Sequence, residues 1–442
     1  MSNQREIITL HVGGWGIEVG ANFWEGLLTE HGIDSSGRLT GTDLQSERLG
    51  VYFKKGEADR YVPRAIFTDL DPFQADVLRC KPIHGLISPE AGIFGQDGCL
   101  NNWAKGLHSD GANEISDKVV EAARQEAEAC DSLQGFQMTH SIFAGTGGGM
   151  GSQILSRLVE EFPDAYKTTF SIMPTYAVDD GCVIRPYNTV LSLHYLTEHT
   201  SLTSLFSYRT MDDKIVYELK LDNSWTHYHR IVADTMLGAT TTLRFPSEQD
   251  TDLTQIVEHL VPQPRLHFIT SAMNPVLGSE AHTNIAQATA TQLAREMCRD
   301  MSWTMTSGRF PGNTGGCLAY SAIFRGSDVT LDSLGQFLHD TRDPTSADFM
   351  EWMPPTAHFH SCPVPAAGYK SAAISMGNFR SIVEELEATL NMFDAMFRRK
   401  NFLRHYEEHG MGEMDFTEAA ENVRDLIAEY RAAVVEHEDS QE

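Results

Sequence analysis

A cluster of glycines follows a predicted buried strand and precedes an amphipathic helical pattern. Five glycines occupy the seven positions 145–151, within the segment HSIFAGTGGGMGSQILSRLVEEF. Phosphate groups are bound by backbone N–H groups that converge without interfering β-carbons, and a glycine-rich turn at a helix N-terminus supplies them. The segment 144–151 fits that requirement. Tight turns and close helix packing also require glycine, so this loop by itself leaves a purely structural role open.

Three further loops fall at comparable positions of the predicted sheet, with the sequences GGWGIE at 13–18, DLDP at 69–72 and GCLNNWAKG at 98–106. Asp71 is a candidate for holding a water of Mg²⁺, or alternatively for capping a helix beside Pro72. Asn101 and Asn102 are candidates for donating to a terminal phosphate, or alternatively for forming a turn or cap. The four loops together predict a phosphate site more strongly than the glycine loop alone.

Strands and helices alternate in the first half of the chain. A β-rich run at 7–12 leads into the glycines at 13–16 and then into a helical pattern. Further strands are predicted in YVPRAIFTDLDP, FQMTHS and KTTFSIM. This alternation predicts an α/β fold with a parallel sheet covered by helices on both faces, and ligands beyond the carboxyl ends of the strands.

The pattern changes after residue 205. Helix-prone and strand-prone segments are mixed up to residue 375, and residues 378–410 predict one long helix. Gly410 and Gly412 end it, and a second helix follows, for which Thr417 is a candidate cap, before a short acidic tail at 436–442. We therefore predict a nucleotide-binding domain at 1–205, an intermediate domain at 206–375, and C-terminal helices with the tail at 376–442.

Composition excludes several classes of function. The chain has 442 residues, with 34 basic and 61 acidic side chains and a net charge of −27, which argues against a nucleic-acid surface. It has no run of about 18 apolar residues, so no membrane-spanning segment is predicted. The seven cysteines form no CxxC pair and the N-terminus has no signal-peptide pattern, which predicts free thiols in a cytoplasmic protein.

The glycine segment and several others, in the same order along the chain, resemble segments of tubulins. They include YVPRAI, NNWAKG, LQGFQMTHS, RPYNTVLSLH, LVPQPRLHF, FRRKNFL and MDFTEAAENVRDLIAEY, and the likeness extends over essentially the whole chain. The short segment SCPVPAAGYKSAAISMGNF resembles β-tubulin rather than α-tubulin. The resemblance implies a tubulin fold, with a parallel Rossmann-like GTPase domain, a mixed α/β intermediate domain and a C-terminal helical hairpin.

The same resemblance implies a β-like subunit of a cytoskeletal filament, which assembles head to tail with an α-tubulin-like subunit or with copies of itself. It implies GTP or GDP with Mg²⁺ as cofactors, and Asp71 as the residue that faces the metal. The loop at 277–291 corresponds to the tubulin segment that joins neighbouring protofilaments. The implied nucleotide-binding residues are Gly13, Gly14, Trp15, Glu18, Asp71, Asn101, Ser141, Ala144, Gly145, Thr146, Gly147, Gly148, Arg185, Tyr208, Trp225 and His229.

Several of the residues near the implied phosphates and ribose depart from the tubulin pattern. In the glycine loop, Phe143 and Ala144 stand where tubulins have glycine, and Gly148 stands where they have serine. Leu100 replaces a glycine near the terminal phosphate, and Arg185 replaces the glutamate that meets the ribose. Alanine is tolerated at such a position if its φ angle is negative, whereas phenylalanine is bulkier and can crowd the loop.

The residues implied to contact the base also differ. Tyr208 and His229 replace two asparagines that read guanine, and Trp225 replaces the tyrosine that stacks on it. Trp225 can still stack on a base, but the paired hydrogen bonds to guanine are lost. Two interpretations stay open. The chain is either a filament subunit that binds GTP in an altered way, or a pseudo-tubulin with an empty or non-exchanging site that acts as a structural or regulatory partner.

The segment implied to contact a neighbour's nucleotide carries Gln255 where α-tubulins have a catalytic glutamate. Glutamine is not a general base, so we predict no catalytic residue and no hydrolysis of a neighbour's nucleotide. β-Tubulins also lack this glutamate, which agrees with a β-like role. A nicotinamide-dependent dehydrogenase shares the strand–glycine–helix pattern, but the chain lacks a GxGxxG motif followed by an acidic ribose ligand.

Overall fold

The computed structural model describes residues 5–56, 59–174, 182–218, 220–222, 224–247, 251–276, 292–294, 316–326, 329, 335, 339 and 357–439. The strands are β1 (Glu6–Val12), β2 (Phe53–Lys55), β3 (Tyr61–Pro63), β4 (Ala65–Asp69), β5 (Gly92–Phe94), β6 (Leu133–Ser141), β7 (Tyr166–Met173), β8 (Leu202–Ser207), β9 (Phe268–Asn274), β10 (Cys317–Gly326), β11 (His358–Cys362) and β12 (Ser371–Phe379).

The helices are α1 (Gly13–His31), α2 (Asp43–Ser46), α3 (Phe73–Arg79), α4 (Trp103–His108), α5 (Asp110–Glu128), α6 (Gly151–Glu161), α7 (Arg185–His199), α8 (Tyr208–Asp212), α9 (Trp225–Ala239), α10 (Thr241–Arg244), α11 (Leu253–Leu260), α12 (Ile382–Phe397), α13 (Arg404–Glu407) and α14 (Glu413–Asp439). None of these helices combines the length and the apolarity needed to cross a bilayer.

Ten of the described strands form one sheet, in the order β11-β10-β12-β9-β8-β7-β6-β1-β4-β5. All neighbours from β9 to β5 are parallel, whereas β12 is antiparallel to both β9 and β10. The predicted parallel α/β architecture is therefore confirmed. β9 lies beyond the predicted domain boundary at 205 and pairs with β8, so the sheet continues across that boundary; the domain limits themselves stay a prediction.

Successive residues of a strand point to opposite faces of the sheet, so both faces present apolar side chains here, and helices cover both faces. Ile8, Leu10 and Val12 of β1 are buried in a core with residues of α5, α6, α7 and α14. Ile7 is buried in a second core, with residues of α1, α9 and α11. β1 is buried along its whole length, as expected for an interior strand of a parallel sheet.

The predicted helix over 378–410 is wrong at its start, where Asn378 and Phe379 belong to β12, and in its second half. α12 ends at Phe397, and α13 covers only Arg404–Glu407. Between them, Lys400 and Phe402 have φ angles of 53° and 62°, left-handed values that interrupt an α-helix. Neither residue type favours that conformation, so the local sequence gives no sign of the break.

The end of the chain also differs from the prediction. Thr417 lies inside α14 and does not cap it, because the helix begins at Glu413. The Asp415 carboxylate accepts the N–H of Gly412 at 2.7 Å just before the helix. The helix continues to Asp439, so residues 436–439 are helical and not part of a tail. Six of the seven cysteines lie in the described residues, and those six are free thiols, as predicted.

A buried ion triad joins α1 to the opposite half of the sheet. Glu30 Oε2 forms an ion pair with Arg244 Nη1 at 2.7 Å, but the angles of this contact are not those of a hydrogen bond. Glu30 Oε1 accepts a hydrogen bond from Arg325 Nη1 at 2.8 Å. All three side chains are at most 2% exposed. Burial acts to raise the pKa of Glu30, but the two guanidinium groups outweigh it and lower the pKa to about 2.

Replacing Glu30 with Gln should destabilise the fold strongly, because two buried guanidinium groups lose their counter-charge. We expect a loss of about 3–5 kcal/mol in the free energy of unfolding, measured by urea denaturation at pH 7. Glu114→Gln is the matched control, since Glu114 forms an exposed pair with Lys118 and should change stability little. Equal effects of the two substitutions would contradict a stabilising role for the triad.

The pH dependence of stability of the wild type and of Glu30→Gln tests the pKa of Glu30. The folded-state pKa of Glu30 is lowered, so its contribution is fully present above 4.5, its ordinary value, and is lost as the pH falls towards 2. The stability difference between wild type and Glu30→Gln should therefore shrink as the solution is acidified through that range. A difference that stays constant from pH 7 to pH 3 would argue against the lowered pKa.

Candidate functional site

The glycine segment forms one π-helical turn, Gly145–Met150, between the end of β6 and the start of α6. Its residues are buried, and the N–H of Gly148 donates to the carbonyl of Ala144 at 3.1 Å. Ala144 has a φ of −96°, so an alanine is accommodated in place of glycine. Because β1 lies between β4 and β6, the loops that follow these three strands meet at the same edge of the sheet.

Close backbone contacts require glycine at several positions around this turn. A β-carbon on Gly147 would lie 2.6 Å from the carbonyl oxygen of Ser141, and one on Gly149 would lie 2.2 Å from that of Trp103. Gly13 has a φ of 79°, and its β-carbon would lie 3.1 Å from the nitrogen of Gly147. The starts of α1 and α4 therefore pack directly against the turn, so the glycines serve close packing as well as any ligand.

Other predicted glycines of the site face side chains. The atoms nearest to a β-carbon on Gly14, Gly145 and Gly148 would be Gln74 Nε2 at 2.9 Å, Cys99 Sγ at 2.5 Å and Ser192 Oγ at 2.7 Å. Gln74 is a long, flexible side chain that can move away, whereas Cys99 and Ser192 are short and buried and cannot. Larger residues are therefore excluded more strictly at Gly145 and Gly148 than at Gly14.

His140 anchors the turn from β6. Its Nδ1 lies 2.7 Å from the carbonyl of Gly147, and its Nε2 lies 2.8 Å from the Ser171 hydroxyl. Burial lowers the pKa of His140 to about 4, so the ring is neutral at pH 7. We assign the proton to Nδ1, because the carbonyl only accepts and the hydroxyl can donate to Nε2.

Several buried side-chain donors of the elements around the turn have no hydrogen-bond partner among the described residues. They include the hydroxyl of Ser141, at the end of β6, and Nε1 of Trp15, in the first turn of α1. An unpaired buried polar group costs about 1–3 kcal/mol, so donors left unpaired at this edge indicate a ligand with acceptor atoms. A nucleotide offers such acceptors, and the residues present fit it.

Asp69, at the end of β4, is a buried carboxylate that the sequence analysis missed. Its Oδ1 accepts the N–H of Asp71 at 3.0 Å, and the Thr146 side chain also bonds to it. Burial raises the pKa of Asp69 to about 6, and these two hydrogen bonds act against that rise. The Thr146 hydroxyl also lies 3.2 Å from the Cys99 thiol, so one side chain ties the glycine turn to two neighbouring loops.

Asp71 itself is exposed and lies beside the 98–102 loop. Its Oδ1 accepts the N–H of Phe73, the first residue of α3, at 2.9 Å. The N-cap position itself is Pro72, so the predicted N-cap role of Asp71 is wrong. Its β-carbon is 3.6 Å from where a β-carbon on Gly98 would lie. An exposed carboxylate at this edge also suits a water-mediated contact with Mg²⁺, and that metal role stays a prediction.

The 98–102 loop is bound to the glycine loop by Asn188 of α7, which the sequence analysis also missed. Asn188 Nδ2 donates to the carbonyl of Asn101 at 2.7 Å and to that of Phe143 at 2.9 Å. Asn101 has a left-handed φ of 61°, and the neighbouring Leu100 is 90% exposed. The Asn188 amide thus sets the spacing between the two loops, because one side chain holds both carbonyls.

Asn102 has a different role from Asn101. Its Oδ1 accepts the N–H of Lys105 at 3.0 Å and caps α4, while its Nδ2 donates to the carbonyl of His405 at 2.7 Å. Both ends of the amide are therefore engaged within the protein. The cap that the sequence offered as an alternative is confirmed for Asn102, and its phosphate contact stays a prediction.

Phe143 and Arg185 meet beside the glycine turn. Arg185 Cζ lies 4.7 Å from the centroid of the Phe143 ring, a cation–π distance, and Arg185 is the first residue of α7. The bulky residue that replaces a glycine therefore packs against a cation. The guanidinium group of Arg185 therefore adds positive charge next to the turn of a strongly acidic chain.

The predicted base-contacting residues form one aromatic group. The Tyr208 ring stacks on Tyr228 at 4.5 Å and lies 5.0 Å from Trp225, and Trp225 lies 6.2 Å from His229. Trp15 contacts His229 edge-on at 6.5 Å. Two rings that enclose a base must be about 7 Å apart, so no base fits between Tyr208 and Trp225. Trp225 is 54% exposed and keeps surface for stacking on one side.

Glu18 lies next to this aromatic group and is paired with a residue that the sequence analysis missed. Its Oε2 accepts from Lys81 Nζ at 2.7 Å and lies 3.9 Å from His229 Nδ1. Burial lowers the pKa of His229 to about 4, which Glu18 opposes, so the imidazole is neutral at pH 7. Lys81 is 63 residues from Glu18 in sequence, so spacing gives no sign of the pair.

Gln255 lies at the other end of the sheet from the glycine turn. It is in the first turn of α11, and the N–H of Leu253 in that turn donates to Gln134 at the start of β6. Its side chain completes a capping box: Gln255 N–H donates to Asp252 Oδ1 at 2.8 Å, and Asp252 N–H donates to Gln255 Oε1 at 3.1 Å. The 277–291 loop lies outside the described residues.

The order of elements, the parallel sheet and the glycine turn define a GTPase-type fold, followed by a second α/β region and C-terminal helices. A family model of the Tubulin/FtsZ GTPase domain matches residues 6–215, and a model of the tubulin C-terminal domain matches residues 264–391. Together they span most of the chain in tubulin order. The chain has the tubulin fold and belongs to the tubulin family, whose members are cytoskeletal proteins.

Substitution of Gly147 tests the packing of the turn. Gly147→Ala should destabilise the protein by about 1–3 kcal/mol, because the new β-carbon meets the backbone of Ser141 and the turn must shift. Gly111→Ala is the matched control: it lies in α5 with no atom within 4 Å of the added carbon. Urea denaturation should show a loss only for the first variant, and equal tolerance of both would refute tight packing.

Proposed function

We propose that this chain is a β-like filament subunit that binds GTP and assembles head to tail with an α-tubulin-like subunit or with copies of itself. The supporting observation is that the glycine turn and Gln255 lie at opposite edges of one sheet. When such subunits stack head to tail, one edge meets the other edge of the next subunit, and the contact repeats without closing. This role belongs to the cytoplasmic cytoskeleton.

The groups proposed to hold the nucleotide are those at the glycine-turn edge. The backbone N–H groups of 145–147, the start of α1 at Gly13 and Gly14, and the Ser141 hydroxyl would bind the phosphates. Arg185 supplies a positive charge beside them. Mg²⁺ would neutralise phosphate charge, and Asp71 would hold one of its waters.

The alternative is a pseudo-tubulin with an empty or non-exchanging site, which acts as a structural or regulatory partner in a filament. The observation that favours it is the aromatic group, because Tyr208 packs against both Tyr228 and Trp225 and leaves no gap for a base between its ring and Trp225. Against it stand the Ser141 and Trp15 donors at this edge, which have no hydrogen-bond partner among the described residues and could bind a nucleotide.

A filament assembly assay distinguishes the two proposed functions. Purified protein freed of nucleotide is mixed with Mg²⁺ and GTP, alone and with an α-tubulin-like partner, and polymer is followed by sedimentation and negative-stain microscopy. Filaments that form with GTP but not without nucleotide support the first proposal. Filaments that form equally well in both conditions, from protein that binds no nucleotide, support the pseudo-tubulin.

Gln255 is proposed to leave a neighbour's nucleotide unhydrolysed, since an amide takes up no proton from an attacking water. Gln255→Glu should therefore raise the rate of GTP hydrolysis in assembled filaments. The increase should be no larger than the factor of about 10²–10⁴ that is typical of a general base. Glutamate also suits this position of a capping box, so the helix should keep its stability. Phosphate release that does not change in the variant's filaments would show that residue 255 is not the limiting group.

A further inference from the structure

We propose that Tyr406 of α13 is a positioning residue for the proposed nucleotide site and that it acts through the side-chain amide of Asn188. The inference rests on the proposed function, because a loop is positioned for a phosphate only if a nucleotide binds there. It gives a short helix of the C-terminal region a role in binding, which the glycine loops do not indicate. It also implies the reverse effect, in which a bound nucleotide makes α13 more rigid.

The amide of Asn188 is fixed by three hydrogen bonds. Its Nδ2 donates to the carbonyls of Asn101 and Phe143 at 2.7 and 2.9 Å, and its Oδ1 accepts from the Tyr406 hydroxyl at 2.6 Å. Asn188 and Tyr406 are fully buried, so bulk water does not replace a lost partner. The χ2 torsion of asparagine is soft, so the orientation of the amide depends on these partners. Removing the Tyr406 hydroxyl therefore loosens both contacts with the carbonyls.

The loop that Asn188 contacts has an unfavourable backbone conformation. Leu100 and Asn101 are consecutive residues with φ angles of 51° and 61°, in the left-handed region. Residues with a β-carbon disfavour this region, so it persists only where surrounding contacts impose it. The hydrogen bond from Asn188 to the Asn101 carbonyl is such a contact. The exposed side chain of Asn101, a predicted donor to the terminal phosphate, therefore depends on Asn188 for its position.

A second hydrogen bond joins the same loop to α13. Asn102 Nδ2 donates to the carbonyl of His405 at 2.7 Å, and His405 directly precedes Tyr406 in the chain. The 98–102 loop therefore has two attachments to α13, one of them direct and the other through Asn188. The chain can place α13 beside the loop because α12 and α13 are separate helices and not one continuous helix.

The helix α13 has one buried side and one exposed side. The Tyr406 ring packs against Tyr187 and Phe416, with distances between ring centroids of 5.8 and 5.1 Å, whereas His405 and Glu407 are exposed. Tyr406 therefore connects the surface of the C-terminal region to the 98–102 loop. By thermodynamic linkage, a ligand that orders this loop also orders α13.

The first test measures affinities for the Mg²⁺ complexes of GTP and GDP by isothermal titration calorimetry, on the full chain freed of nucleotide. Tyr406→Phe keeps the ring and removes the donor to Asn188. It should weaken GTP binding about tenfold, as expected for one hydrogen bond, and change GDP binding little. The reason for the difference is that Asn101 is predicted to face the terminal phosphate, which GDP lacks. A purely structural defect would weaken both nucleotides to the same degree.

Tyr187→Phe is the matched control. The Tyr187 ring lies 5.8 Å from that of Tyr406, and its buried hydroxyl has no hydrogen-bond partner among the described residues. The substitution therefore removes a neighbouring hydroxyl and leaves the contacts of Asn188 in place. It should leave the affinities for GTP and GDP unchanged. Circular dichroism melting curves show whether each variant is folded before it is titrated.

Amide hydrogen exchange tests the connection in both directions. In the wild type, Mg²⁺–GTP should slow exchange at 404–410 more than Mg²⁺–GDP does, and Tyr406→Phe should abolish that difference. Without nucleotide, Tyr406→Phe should speed exchange at 99–106, whereas Tyr187→Phe should not. This segment reports on the loop because the N–H of Asn102 donates to the carbonyl of Cys99 within it.

The outcomes distinguish the two proposals. If Tyr406→Phe keeps the wild-type ratio of GTP to GDP affinity, or leaves exchange at 99–106 unchanged, the positioning role is wrong while nucleotide binding stands. If the folded wild type binds neither GTP nor GDP, the proposed function is wrong and the positioning role falls with it.

Discussion

The contact of backbone with backbone around the Gly145–Met150 turn is the constraint on which the candidate site depends. The turn is enclosed by the end of β6, the start of α1 and helix α4, with no room for most side chains. His140 and Asn188 fix it further through carbonyl groups on either side. The loops after β1, β4 and β6 therefore have fixed positions relative to one another, and polar groups at this edge are presented to a ligand without rearrangement.

Around this turn, residues that were predicted to differ from the tubulin pattern form a connected set of contacts. Arg185 packs on the ring of Phe143. Tyr208 contacts both Trp225 and Tyr228. Glu18 is paired with Lys81. Backbone contacts thus enclose the glycine turn, while Arg185, the aromatic group and the Glu18–Lys81 pair lie around it.

The sequence predicted the parallel α/β fold and the glycine turn because strand–glycine–helix patterns are local and repeat. It missed Lys81 and Asn188 as site residues, because their contacts with Glu18 and Asn101 span 63 and 87 residues of sequence. It also missed Asp69, because a carboxylate at the buried end of a strand has no distinguishing local pattern. It also missed the break after Phe397, because Lys400 and Phe402 adopt left-handed φ angles that their residue types do not favour. Local patterns determine elements, whereas long-range contacts determine which side chains meet.

The central claim is that the glycine-turn edge holds a guanine nucleotide. The most direct measurement is to denature the protein, purified in the presence of Mg²⁺, and to identify and count the nucleotide released by ion-exchange chromatography. The account predicts GTP or GDP at close to one per chain. A folded protein that releases no nucleotide would contradict it, and the glycine turn would then serve only the packing of β6, α1 and α4.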